Sequence, residues 1–344
     1  MIYLNKLNMT RIKQEVMYKL TYDKFIKARD YILTHTDEIN HAWFLYNFED
    51  YDANAFMNVL AKYQYENGGF GGLYYEFDYQ GPCLKSTEMA IKYIFSLKEK
   101  PSAEHPVIKN AMRYLLENYY PEIGNWGDVA VPEVNNGVYC YWTRYRGETI
   151  TPIESEDERI RQYDANEKAC FAAFVEYYSE LVPKDLYLDI IKYPIENILR
   201  YWDENSPNYD KEIFEKGTPY CFEYYQQFIS CLKDKNLANR LTSILRQNPT
   251  AFMELNYEKS DNGYVHLPCH SVNSPDNIIY PVIKDLVDDS LEYRIKQQSE
   301  DGRWPLGWSF GKGEGLYELQ IKYEAHLSLI MLVKLKEFGL LENV

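Results

Sequence analysis

Apolar positions recur at three- and four-residue intervals almost throughout this chain, and strand-like alternation is scarce. Across residues 50–64, Ala53, Phe56, Met57, Leu60 and Ala61 fall on one helical stripe. The same pattern predicts helices over 85–97, 108–118, 166–181, 186–201, 218–232, 237–246, 279–298 and 320–338, with shorter candidates before residue 50. That is about a dozen helices and no strand pair. Between alternate helices lie turns rich in glycine or aromatics, around Phe70, Trp126, Trp202, Tyr264 and Trp304. Their spacings of 56, 76, 62 and 40 residues suit two helices and two loops each. Helices of this kind do not stand alone, so neighbouring hairpins must share a core. The expectation is an all-α fold over 1–344, built of helical hairpins in one domain. The long insert at 127–165 breaks the regular spacing and is expected to be non-helical and functional.

The composition narrows the class. With 46% hydrophobic and 26% charged residues the chain reads as globular. A net charge of −15 argues against nucleic acid, which needs a positive surface. The longest apolar run, residues 329–333, is closed by Lys334, far short of a membrane span. The first sixteen residues carry no apolar signal-peptide core. Six scattered cysteines with no Cys-x-x-Cys pair read as reduced, mostly buried thiols. A cytoplasmic protein with no integral membrane segment, no cofactor and no resident metal is expected.

Two turns share a motif. Gln64-x-x-x-Gly68-x-Phe70 and Gln298-x-x-x-Gly302-x-Trp304 both close a helix. Glycine supplies the left-handed conformation there, and glutamine bonds carbonyls left open by the helix end. These segments resemble the QW repeats of the squalene–hopene cyclase and protein prenyltransferase superfamily. The resemblance extends through SPDN…DDSLEYRIKQQSEDGRWPLGW near the C-terminus, which is similar to an uncharacterised group of bacterial prenyltransferase-like proteins. In that group the first repeat continues as GGFG…LEPD, and Glu76 and Asp78 fall at the matching acids. The resemblance implies an (α/α)6-type toroid around a central cavity. It covers both ends of the chain well and residues 127–265 poorly. It also implies isoprenoid chemistry, which the chain's motifs test.

The acid of a class II cyclase is the middle Asp of Asp-x-Asp-Asp, and no such motif occurs. The nearest text is Leu286-Val287-Asp288-Asp289, with leucine in the first position. Asp285, Asp288 and Asp289 give a reversed diphosphate-type motif on one helix face. His266, Cys269 and His270, with Asp276 nearby, are zinc-type ligands lacking the family's Asp-x-Cys pattern.

The stronger candidates lie elsewhere. Glu76 and Asp78 follow the first glycine-rich turn and share a side if that segment is extended. Paired carboxylates suit general acid–base work; the plain alternative is that they cap the helix starting near Ser86 and Thr87. Trp142, Arg144 and Arg146 in the insert suit an anion, a sugar or an isoprenoid face, unless Asp157 and Glu158 neutralise the arginines. Trp308 is placed to face a cavity, while Trp304 is structural. Three functions remain open: isoprenoid binding or transformation, a carbohydrate hydrolase or lyase using Glu76 and Asp78, and a non-catalytic scaffold. The partner in the first two is a small molecule, an isoprenoid or an oligosaccharide.

Overall fold

The computed structural model describes residues 18–147, 150–216 and 218–344. The chain is all-α. Its helices are α1 (Tyr22–His35), α2 (Glu38–Phe48), α3 (Ala53–Leu60), α4 (Leu84–Ser96), α5 (Pro106–Glu117), α6 (Glu156–Arg161) and α7 (Lys168–Tyr177). There follow α8 (Lys184–Asn197), α9 (Lys211–Lys216), α10 (Pro219–Cys231), α11 (Lys235–Leu245), α12 (Tyr280–Lys296) and α13 (Leu316–Glu337). Among the described residues, strand pairing in a sheet is confined to the two-residue β1 (Tyr119–Tyr120) and β2 (Asn125–Trp126).

Local chemistry explains the starts. Thr21, Asp37 and Asp52 accept a backbone N–H in the first turns of α1, α2 and α3. Pro106 and Pro219 open α5 and α10 at the position where a missing N–H costs least. Each of the nine helices expected from periodicity is present, with ends moved by a few residues. Near residue 60 the predicted helix tightens into a 3-10 turn at Ala61–Tyr63, and α8 opens into a π-helical turn at Ile198–Trp202.

Two expectations are corrected. The insert 127–165 is not helix-free, because α6 occupies Glu156–Arg161. Ser155 caps it by accepting the Glu158 N–H, three acids fill its first turn, and Arg159 and Arg161 lie in its last. A helix under two turns long shows no apolar stripe to read. The aromatic anchors also divide. Phe70, Trp126, Trp202 and Trp304 are buried, but Tyr264 is 50% exposed and seals no hairpin.

The packing follows from the burial. Every residue from Ala169 to Val175 in α7 is fully buried, so this helix is apolar all round and lies inside the protein. It packs on α4, α8 and α10; α10 packs on α11, and α2 on α3. The two ends of the described chain meet: α1 packs against α13, and the Leu20 N–H donates to the Leu340 carbonyl at 2.8 Å. One contiguous apolar cluster runs from Leu20 to Leu341.

The two Gln-x-x-x-Gly-x-aromatic turns have the same geometry. Gln64 Nε2 donates to the Gly68 carbonyl at 3.0 Å and to the Val107 carbonyl of α5 at 3.0 Å. Gln298 Nε2 donates to the Gly302 carbonyl at 2.8 Å and to the Lys24 carbonyl of α1 at 3.0 Å. The Phe70 N–H donates to the Thr87 hydroxyl of α4, and the Trp304 N–H to the Ser328 hydroxyl of α13. Each turn thus ties its hairpin to two other helices. Both glycines are left-handed, and both press on backbone. A Cβ on Gly68 would lie 2.0 Å from the Asn110 carbonyl oxygen, and one on Gly302 would lie 2.3 Å from the Lys27 carbonyl carbon.

Candidate functional site

Past the first turn the chain runs extended, with Leu73, Tyr75 and Phe77 buried and Glu76 and Asp78 on the less covered side. Backbone bonds to the insert hold it there. The Cys140 N–H donates to the Glu76 carbonyl at 2.8 Å, and the Asp78 N–H to the Val138 carbonyl at 2.6 Å. The segment therefore brings Trp142 over Glu76. Tyr74 Oη and Trp142 Nε1 both donate to Glu76 Oε2, at 2.6 and 2.7 Å. Helix α4 is capped by the Cys83 thiol rather than by either acid.

The two carboxylates have different surroundings. Glu76 is half-buried among aromatic rings, whereas Asp78 is exposed and accepts from Gln80 Nε2 at 3.0 Å. The groups that converge near Glu76 are instead tyrosines and two glutamates that the sequence reading did not single out. Trp142 meets Phe310 edge-on at 5.8 Å, Phe310 packs on Tyr323, and Tyr264 meets Trp308 edge-on at 5.0 Å. The Tyr220 and Tyr264 hydroxyls touch.

Burial, reinforced by the nearby charges of Glu76, Glu223 and Glu167 and opposed by the hydrogen bond with Tyr264, leaves the Tyr220 phenol raised to about 12. Burial first, then Tyr220 and Glu76, raises Tyr264; burial first, then Glu76, raises Tyr323. Yet Trp142, Tyr220 and Tyr264 keep 46, 42 and 50% of their surface exposed. These partly exposed rings, from the insert, the start of α10 and the loop at Tyr264, gather around Glu76 with Trp308, Phe310 and Tyr323 packed against them, and we infer a recess between them.

Glu167 enters from the start of α7 with an unusual backbone, φ +49° and ψ −35°. The Lys168 N–H bonds back to the Asn166 carbonyl, forming a γ-turn of the strained hand. Strain of this kind collects at functional sites. Lys85 pairs with Glu167 and with Glu88, the latter at 2.9 Å, and lies 4.9 Å from the Tyr74 ring. Burial pushes the Glu88 carboxyl up, but Lys85 and Lys92 outweigh it and hold it at about 2.

The remaining candidates are placed as follows. Arg144 and Arg146 are exposed on the insert. Asp157 and Glu158 do not neutralise them, since Asp157 pairs with Arg200 and Glu158 with Arg161. Trp308 is half-buried against Tyr264. His266 donates to or accepts from the Ser271 hydroxyl at 2.7 Å, and His270 Nδ1 accepts the Leu267 N–H. Burial and then Lys334 lower His266 to about 3. Asp288 is engaged by Tyr280 and Lys284, and Asp285 is exposed. Among the described residues no group of three or more His, Cys, Asp or Glu is placed to hold a metal ion. No described helix is long and apolar enough to cross a membrane. A separate cavity of about 280 Å3 lies beside Tyr163, Asn166, Trp202 and Tyr225, where Asn166 and Asn197 are already bonded by Thr218 and Tyr225.

No protein-family model, no curated protein and no solved structure matches this chain.

Proposed function

We propose that the Glu76 recess binds a carbohydrate and that the protein is carbohydrate-active. The observation that carries this reading is a carboxylate fixed by two neutral donors and ringed by partly exposed tyrosine and tryptophan. Flat aromatic faces take the apolar face of a sugar ring, and phenols and carboxylates bond its hydroxyls. The reaction such a site suits is cleavage of a glycosidic bond. Glu76, as the carboxylate, takes the proton of the attacking water, and Glu167 or Glu223 supplies the second acidic group, at the bridging oxygen, in place of Asp78. Incubation with oligosaccharides and assay for new reducing ends tests this; Glu76→Gln lowers the rate at least ~100-fold. Full activity in that variant rejects Glu76 as the proton-transfer group.

A second reading, isoprenoid binding in a toroid of the cyclase and prenyltransferase type, draws support from the matched Gln64 and Gln298 turns, the α1–α13 contact and the edge-on aromatic walls. Against a prenyl diphosphate stands the charge: Lys85, which lies 4.9 Å from the Tyr74 ring, is engaged by two glutamates. Thermal-shift measurements with farnesyl diphosphate, a neutral polyprene and oligosaccharides separate the readings, because only a ligand of the folded state raises the melting temperature.

A further inference from the structure

We propose that the ligand of the Glu76 recess is a glycan carrying free, protonated primary amines, an oligomer of an amino sugar; this rests on the carbohydrate reading above. The charges around the recess divide into a balanced pair and an unbalanced remainder. Lys85 bridges Glu88 and Glu167, and Lys92 pairs with Glu88 at 2.7 Å, so two cations meet two anions. Glu76 has no such partner: the donors on its Oε2 are a phenol and an indole, both neutral. Glu223 bears on Tyr220 and Tyr264 from α10 and adds to the same sign.

A half-buried carboxylate whose fixed partners are neutral attracts a cation strongly, because little in the protein cancels it. The walls add to this. Trp142, Tyr220 and Tyr264 are the partly exposed rings beside that carboxylate, and an ammonium over an aromatic face gains further energy when it leaves water. After burial, the charge of Glu76 is the leading influence on the phenols of Tyr74 and Tyr323, so a cation placed there meets a negative field. An amine on a sugar ring uses every part of the recess: the ring stacks, the hydroxyls bond phenols, and the ammonium reaches Glu76.

The test is calorimetric titration of the full chain with a glucosamine tetramer, an N-acetylglucosamine tetramer and cellotetraose, at a pH where the free amines are protonated. The glucosamine tetramer is expected to bind about tenfold more tightly than its acetylated form at low salt. Added salt should shrink that preference, and Glu76→Gln should reduce it below about twofold. Trp142→Ala, checked by melting curve, should weaken all three. Equal affinity for free and acetylated tetramers, or a preference that survives Glu76→Gln, overturns the inference and leaves the carbohydrate reading standing. Absence of binding by every oligosaccharide removes both.

Discussion

Residues 64–70 and the loop that follows them are neighbours in sequence and opposites in the use of polar groups. In the turn, the Gln64 amide and the Phe70 N–H are bonded to the fold, and the second turn at Gln298 repeats those bonds with different helices. A few residues on, Glu76 is held by side chains that bring no charge, beside rings that stay in contact with water. The turn joins helices, and in the proposed reading the loop meets the ligand. Two segments a few residues apart therefore respond to substitution in different currencies, the first in stability and the second in binding.

The largest break falls on the turn. Gly302→Ala forces a side chain onto the Lys27 backbone at φ +96°, and about 3 kcal/mol of stability is expected to go, read by urea denaturation. Gln298→Ala leaves the Gly302 and Lys24 carbonyls without their donor and should cost about 1–2 kcal/mol, with Gln64→Ala alike. Unequal losses in the two would break the equivalence of the turns.

An effect smaller per pH unit than the Gly302 loss comes from the buried hub that joins α2 to α13. Asn40 accepts from Tyr93 Oη and bonds His326 Nδ1 at 2.8 Å. Burial first, then Lys92, brings His326 down to about 3, so the folded protein refuses a proton that the unfolded chain accepts below about 6.5. Stability is then flat above that value and falls by ~1.4 kcal/mol per pH unit from this group as pH drops through the window toward 3. His266 acts in the same direction. A series of melting temperatures from pH 7.5 downward checks it, and His326→Gln should flatten the slope. An unchanged slope would show that His326 is not the group responsible.

The smallest stability effect is expected at the other pole. Glu76→Gln keeps an acceptor for Tyr74 and Trp142 and should change stability by less than about 0.5 kcal/mol. A large loss on denaturation would reassign Glu76 to the fold.

The helices were legible in the sequence because the 3.6-residue period is imposed by burial, and burial is what decides most of these elements. The motif at Gln64 and Gln298 was legible because left-handed glycine and a carbonyl-seeking amide leave a mark at fixed spacing. The short helices α6 and α9 left no stripe to count. Of the site, Glu76 and Trp142 were visible as residue types, but their meeting depends on the Cys140–Glu76 backbone bond across 64 positions, which no local pattern encodes. Asp78 shares its strand face with Glu76 and still lies in solvent, since alternation sets direction and not cover. Glu167, Tyr220, Glu223 and Tyr323 come from three helices. In a chain with 34 tyrosines, nothing marks Tyr220 and Tyr323 apart from the rest, and Tyr264 stood out only as a turn anchor. The one available signal was the insert, which places Trp142 against Glu76.

The most direct test of this division is a thermal-shift measurement on wild type, Gln298→Ala and Trp142→Ala, each with and without an amino-sugar oligomer. The account expects the ligand to raise the melting temperature of wild type and of Gln298→Ala by a similar amount, although the latter starts lower, and to leave Trp142→Ala nearly unmoved. A full ligand shift in Trp142→Ala, or a shift in any of the three produced by a prenyl diphosphate alone, would contradict it.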